Sequence, residues 1–184
     1  MLGFVLTEWM ELMEEDHGTE FVDEVMASCN LTDGGAYTAI DVYPAEDLHQ
    51  ILGEVSRRLD QSVPQLLMSY GERLFRSLAE GHPKMMEGYS HPFDLFEHLE
   101  SHVHAEVKCL HEGAQVPTLT FQREAENVAA LRYRSSRGLP DLAEGLMRGA
   151  CRHYEQSIET VERIPHSEDA TDVTLVLTLA SVGG

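Results

Sequence analysis

The sequence predicts an α+β protein: a helical N-terminal lobe packed on a C-terminal lobe made of a four-stranded antiparallel sheet and its own helices. Three observations predict it. Up to about residue 113, apolar side chains recur every three or four positions, the period of a helix with one buried face. After Pro117 the period falls to two, the alternation of a half-buried strand. One further helical stretch, PDLAEGLMRGACRHY, lies among the strands, which gives segregated layers around a core.

The elements follow in order. Phe4, Val5, Leu6, Trp9, Met10, Leu12 and Met13 form an apolar stripe between glutamates, a first helix over 3–16. Gly18 and Thr19 read as a stop followed by an N-cap, opening a second helix through about Cys29. LTDGGA is a turn. Pro44 leads into a helix carrying Leu48, Ile51, Leu52 and Val55, and Ser62-Val63-Pro64 starts another through Leu78. Pro92 opens a long helix that ends at Gly113, with Phe96, Leu99, Val103, Val107 and Leu110 along one side. TLTFQ and NVAALRYRS read as a hairpin turning around 123–126, and QSIETVERI and DVTLVLTLA as the last two strands.

The bulk numbers narrow the function. With 32 acidic against 13 basic side chains the chain carries a formal charge of −19. Nucleic-acid backbones and anionic lipid surfaces would repel it, so neither is an expected partner. A basic protein face, or simply solvent, suits it better. The opening MLGFVLTEWMELMEEDHG is broken by glutamates and has neither a basic start nor a cleavage site, so it predicts no membrane span and no export signal, with the cytoplasm as default location. Cys29, Cys109 and Cys151 are too scattered for a disulfide framework and read as small buried apolar residues.

Two groups of residues carry chemistry. His98 and His102 are four apart on one helix, a spacing that can offer two imidazoles to a metal, or simply two exposed histidines away from the apolar stripe. His104 lies on the flank of that stripe, placed either in a pocket or half-buried and satisfied. In LRYRSSR, extended geometry would put Leu131, Tyr133, Ser135 and Arg137 on one face, spaced about 6.5–7 Å apart. Two hydroxyls and a guanidinium in a row suit an anion with two acceptor groups; the plainer alternative is a polar strand face in water.

Those residues resemble the H-NOX family, the haem–nitric oxide/oxygen binding domains of bacteria and soluble guanylate cyclases. The family's Tyr-x-Ser-x-Arg signature stands here as Tyr133, Ser135 and Arg137. Its proximal histidine segment matches Val103-His104-Ala105-Glu106-Val107, its Met-x-Gly start matches MLGFV, and its haem-pressing proline matches Pro117. The resemblance implies one domain over 1–184, with a helical distal subdomain over about 1–60 and a proximal subdomain over 61–184 that carries the signalling helix and the sheet. Haem b (iron protoporphyrin IX) would lie between the lobes, ligated by His104, with Tyr133, Ser135 and Arg137 on its propionates.

The resemblance also implies a ligand. Val5, Trp9, Leu74 and Leu78 would lie near the gas site. Where oxygen-holding members place a distal tyrosine this chain has Leu142, with Leu146 one turn later, and Leu74 stands at the position that supports that tyrosine. An apolar distal wall favours nitric oxide, with carbon monoxide also able to bind, unless Trp9 reaches the ligand. The expected role is sensing rather than catalysis, with output passing to a separate histidine kinase or cyclic-di-GMP enzyme. The stretch IPHSEDATDV holds His166 but no cysteine, so the structural zinc of some relatives is not expected. Two other classes stay open: a non-haem metal protein using His98, His102 and Glu106, and a haem-free interaction module whose Tyr-Ser-Arg row binds another anion.

Overall fold

A computed structural model describes residues 1–110, 113 and 115–181, apart from the side chains of Glu106 and Leu110. Helices α1 (Gly3–His17), α2 (Thr19–Ser28), α3 (Ala45–Leu59) and α4 (Val63–Gly81) come first. Gly18, at φ 83°, separates α1 from α2 where a side chain would be strained. Ser62 and Gln65 form a reciprocal capping box at the start of α4, and Pro64 occupies its first turn, where a missing N–H costs nothing. Helices α5 (Pro92–His98) and α6 (His104–Leu110) follow, then β1 (Thr118–Arg123), β2 (Val128–Arg134), α7 (Pro140–His153), β3 (Ile158–Pro165) and β4 (Asp172–Leu179). The sheet is antiparallel throughout, in the order β1-β2-β4-β3, with Leu119 opposite Tyr133 and Tyr133 opposite Val173. The α+β architecture is the one the periodicity predicts. Among the described residues no helix is long and apolar enough to cross a membrane.

Two apolar cores share α4 and α7. Leu6, Trp9, Val25, Leu48, Ile51 and Val55 bury themselves among α1–α4, joined by Leu142 of α7. Phe93, Phe96, Leu131, Leu175 and Leu177 form the second, joined by Phe75 of α4 and Met147 of α7. Fully burying each such side chain contributes about 1.5–3 kcal/mol. Helices α4 and α7 touch through backbone: a Cβ built on Gly145 would lie 2.3 Å from the Met68 carbonyl oxygen and 2.9 Å from the Gly71 Cα. Tyr70, fully buried in α4, donates its hydroxyl hydrogen to the Val5 carbonyl and so fixes α1 on α4.

Ion pairs consume most of the arginines. Arg58 reaches Glu54 at 2.7 Å and Glu24 at 2.5 Å, sewing α3 to α2. Arg163 of β3 and Arg148 both reach the buried Glu144 of α7, at 2.5 and 2.6 Å. Arg57 and then Arg58 donate to Glu54 and hold its carboxyl at about 2, below its ordinary 4.5. A lowered carboxyl contributes stability that is present above the ordinary value and lost as pH falls toward the folded one. Thermal melts of Glu54→Gln are therefore expected to show a shallower loss between about pH 4.5 and 2 than the parent chain. An identical slope would assign the acid sensitivity elsewhere.

The structure departs from expectation in three places. The long helix from Pro92 is one run broken by a π-helical turn at Leu99–Val103, a widening that spacing does not reveal. Its expected end beyond Leu110 falls partly outside the described residues. The strand through LRYRSSR stops at Arg134, and the Gly138 N–H closes a turn on the Ser135 carbonyl at 3.2 Å, with Gly138 at φ 59°. Cys151 is buried and Cys29 half-buried, as small apolar residues would be, but Cys109 is exposed.

Candidate functional site

A cavity of about 260 Å³ opens between the two lobes, and nearly all its wall is apolar. Val5 enters from α1, Leu74 and Leu78 from α4, and Leu142 and Leu146 from α7. Val103, His104 and Val107 enter from the helical run, Pro117 from the approach to β1, and Tyr133 and Arg137 from the end of β2 and the turn after it. The hydrophobic stripes of four separate segments thus converge on one space.

His104 is 12% exposed at its side chain, and its Nδ1 lies 2.7 Å from Glu100 Oε1. Burial lowers its pKa from the ordinary 6.5, and the Glu100 hydrogen bond opposes that only in part. A neutral imidazole that donates Nδ1–H to a carboxylate keeps its lone pair on Nε2. It is therefore the tautomer that can act as a metal ligand.

Arg137 is the polar counterpart. Burial pushes its guanidinium below the usual range, and among the described residues it meets no carboxylate within ion-pair distance. Arg76, Lys84 and Arg134, which also meet no carboxylate among the described residues, are all exposed. Ser135 Oγ accepts from the Arg137 backbone N–H at 3.3 Å and from its Nε–H at 3.2 Å. Ser135 does not line the cavity; it orients the arginine that does. The Tyr133 hydroxyl accepts the Leu139 N–H at 3.0 Å, which leaves its own hydrogen to donate. A half-buried guanidinium that meets no carboxylate among the described residues suits an anionic ligand, because desolvating an unpaired charge is costly.

Trp9 shares the N-terminal core with Leu74 and Leu142, which line the cavity. It is 1% exposed, does not line the cavity, and packs in the N-terminal core with Leu6 and Leu12. His98 and His102 stand side by side, their rings stacked with centroids 5.2 Å apart. The Nδ1 of His98 meets the Asp94 carbonyl at 2.8 Å and that of His102 meets the Tyr89 hydroxyl at 2.8 Å, both outside the cavity. Among the described residues no three ligand-type side chains cluster, and the Glu106 carboxylate lies outside them. The ring of His166 meets the Thr174 hydroxyl at 2.8 Å.

Two contributors escaped the sequence reading. Glu100, four residues before His104, was legible as a helical neighbour but had no apolar or motif signal to single it out. His49 of α3 meets the Arg137 carbonyl oxygen at 3.1 Å, a contact across 88 residues that no local pattern announces. Together the walls suit a flat apolar ligand with an anionic edge at Arg137 and a centre that accepts an imidazole lone pair. A porphyrin with two carboxylates and an iron has that chemistry.

Known proteins share this fold. The Haem-NO-binding family profile matches residues 2–162. The unliganded Fe(II) H-NOX protein from K. algicida superposes with a TM-score of 0.91 at 29% identity, covering 98% of this chain and 97% of that one. The H-NOX protein from S. oneidensis in the Fe(II)NO state gives 0.89 at 25% identity, over 98% and 100%. The H-NOX from Shewanella woodyi in the Fe(II)CO state gives 0.83 at 34% identity, over 100% and 97%. Among curated proteins none matches. On the family profile across most of its length, and on a fold shared from end to end, the chain belongs to the Haem-NO-binding (H-NOX) family, a haem-binding gas-sensor fold.

Proposed function

We propose that this chain senses nitric oxide, and binds carbon monoxide, at a haem b ligated by His104, with little stable oxygen binding. The observation that carries the reading is that His104 and the half-buried Arg137 line one apolar cavity, the second with no carboxylate partner among the described residues. Arg137 would pair the propionates, Tyr133 would donate its free hydroxyl hydrogen, and Ser135 would hold the guanidinium in place. Haem supplies, when bound, a ferrous iron that takes a diatomic gas.

The ligand preference follows from the wall. Val5, Leu74, Leu78, Leu142 and Leu146 offer no hydrogen-bond donor, and Trp9 is not among the residues that line the cavity. Bound oxygen is strongly polarised and needs such a donor, whereas nitric oxide does not. The nitric oxide and carbon monoxide states of the S. oneidensis and S. woodyi relatives support the same ligand class here.

Signalling would start at the tether. Loosening of His104 from the iron would free the helical run to relax and the distal subdomain, about 1–60, to shift against 61–184, a two-state element biased by ligand. The reader of that shift would be a separate cytoplasmic histidine kinase or cyclic-di-GMP enzyme. The test is an anaerobic absorption spectrum of the reduced, haem-loaded protein with and without nitric oxide, beside a sample opened to air. A histidine-ligated ferrous Soret band that moves to a five-coordinate nitric oxide band, with no lasting oxygen spectrum, is expected. A lasting oxygen spectrum would mean that some donor reaches the gas, and failure to take up haem would remove the reading.

A further inference from the structure

We infer that Glu100 is the positioning residue for His104, one carboxylate oxygen tying the imidazole to the edge of the sheet. The inference rests on His104 being the axial base and adds what sets that base's strength and orientation.

The geometry is specific. Glu100 Oε1 lies 2.7 Å from His104 Nδ1 and accepts the Leu119 backbone N–H at 2.8 Å. Its other oxygen is 3.9 Å from Lys108 Nζ. Glu100 sits within the π-helical turn Leu99–Val103, directly before His104, and such single turns recur at functional sites. Leu119 belongs to β1, an edge strand, so the N–H it turns away from β2 has no strand to receive it. Glu100 receives it instead.

Two consequences follow. A carboxylate that accepts Nδ1–H makes Nε2 more electron-donating and locks the ring's orientation, as carboxylates behind metal-bound histidines do. Leu119 also stands opposite Tyr133 in the sheet, and Pro117 is two residues upstream. The imidazole and the strand beside it are thus linked by one side chain, and His104 cannot shift without stretching a bond that leads to β1. The bland alternative is that Glu100 only caps a loose strand N–H and leaves the ligand unaffected.

Resonance Raman spectra of the reduced, gas-free, haem-loaded protein separate the two. Glu100→Gln keeps an acceptor oxygen for Leu119 but loses the charge. It is expected to lower the iron–histidine stretching frequency, with haem transfer to apomyoglobin faster by about 10-fold or more. Glu100→Ala should move both readouts further. Unchanged frequencies in Glu100→Gln, with its thermal melt unaltered, would overturn the inference and leave a strand cap. A parent protein with haem but no iron–histidine band would overturn it differently, by removing His104 as the axial base.

Discussion

Replacing His104 by alanine is expected to abolish the histidine-ligated ferrous spectrum while the protein stays folded. The side chain is one wall of a cavity and not part of either apolar core, so its loss enlarges a space that already exists. The Glu100 carboxylate, 34% exposed, can recover water when its imidazole partner goes. Loss of a hydrogen-bonding partner behind a metal ligand already costs about 10–100-fold in affinity, and loss of the ligand itself should exceed that. Free imidazole should restore the band, because the void has the shape of the missing ring. A histidine-ligated spectrum that persists in His104→Ala without added imidazole would mean that another residue holds the iron, and the proposed site would have to be redrawn.

The second large effect is expected at Gly145→Ala. A methyl there meets the Met68 carbonyl oxygen at 2.3 Å, and backbone cannot swing aside as a side-chain tip can. Alanine's better helix propensity returns only about 1 kcal/mol. Overpacking of this kind costs about 1–3 kcal/mol, and a clash with backbone belongs at or above the upper end. The net loss should be about 2 kcal/mol, which lowers Tm by about 4–8 °C in a chain of this size. Gly53→Ala in α3, where the new methyl meets nothing within 4 Å, is the matched control and should raise stability by about 0.5–1 kcal/mol. Equal melts for the two variants would mean that α4 and α7 are not in backbone contact in solution. Because Leu74, Leu78, Leu142 and Leu146 ride on those two helices, separating them also widens the wall that faces the gas.

Much of this was legible in the chain, for reasons that particular residues make plain. Val173, Leu175, Leu177 and Leu179 alternate because one face of β4 is buried, and that period survives any local uncertainty. Trp9 is one turn beyond Val5 on the same helix, yet Val5 lines the cavity and Trp9 is buried behind it in the N-terminal core. A helical wheel cannot say which of the two reaches the cavity surface. Ser135 and Arg137 were read as a continued strand, although Ser-Ser-Arg-Gly carries a turn signal that the alternating Tyr, Ser and Arg disguised. The π turn and the Glu100–Leu119 contact depend on tertiary placement across nineteen residues, which no window-based pattern contains.

The use of arginines inside the structure shapes what the molecule presents outside. Arg57, Arg58, Arg73, Arg123, Arg132, Arg148, Arg152 and Arg163 are each held by a carboxylate, while most of a net charge of −19 faces solvent. An anion approaching Arg137 therefore crosses a repulsive field before it meets an attractive pocket. That field reaches only about 8–10 Å at moderate salt, so ionic strength governs how quickly the pocket is found. How long the anion then stays is governed by half-buried contacts that salt screens far less. Arrival and residence are thus set by different parts of the same protein.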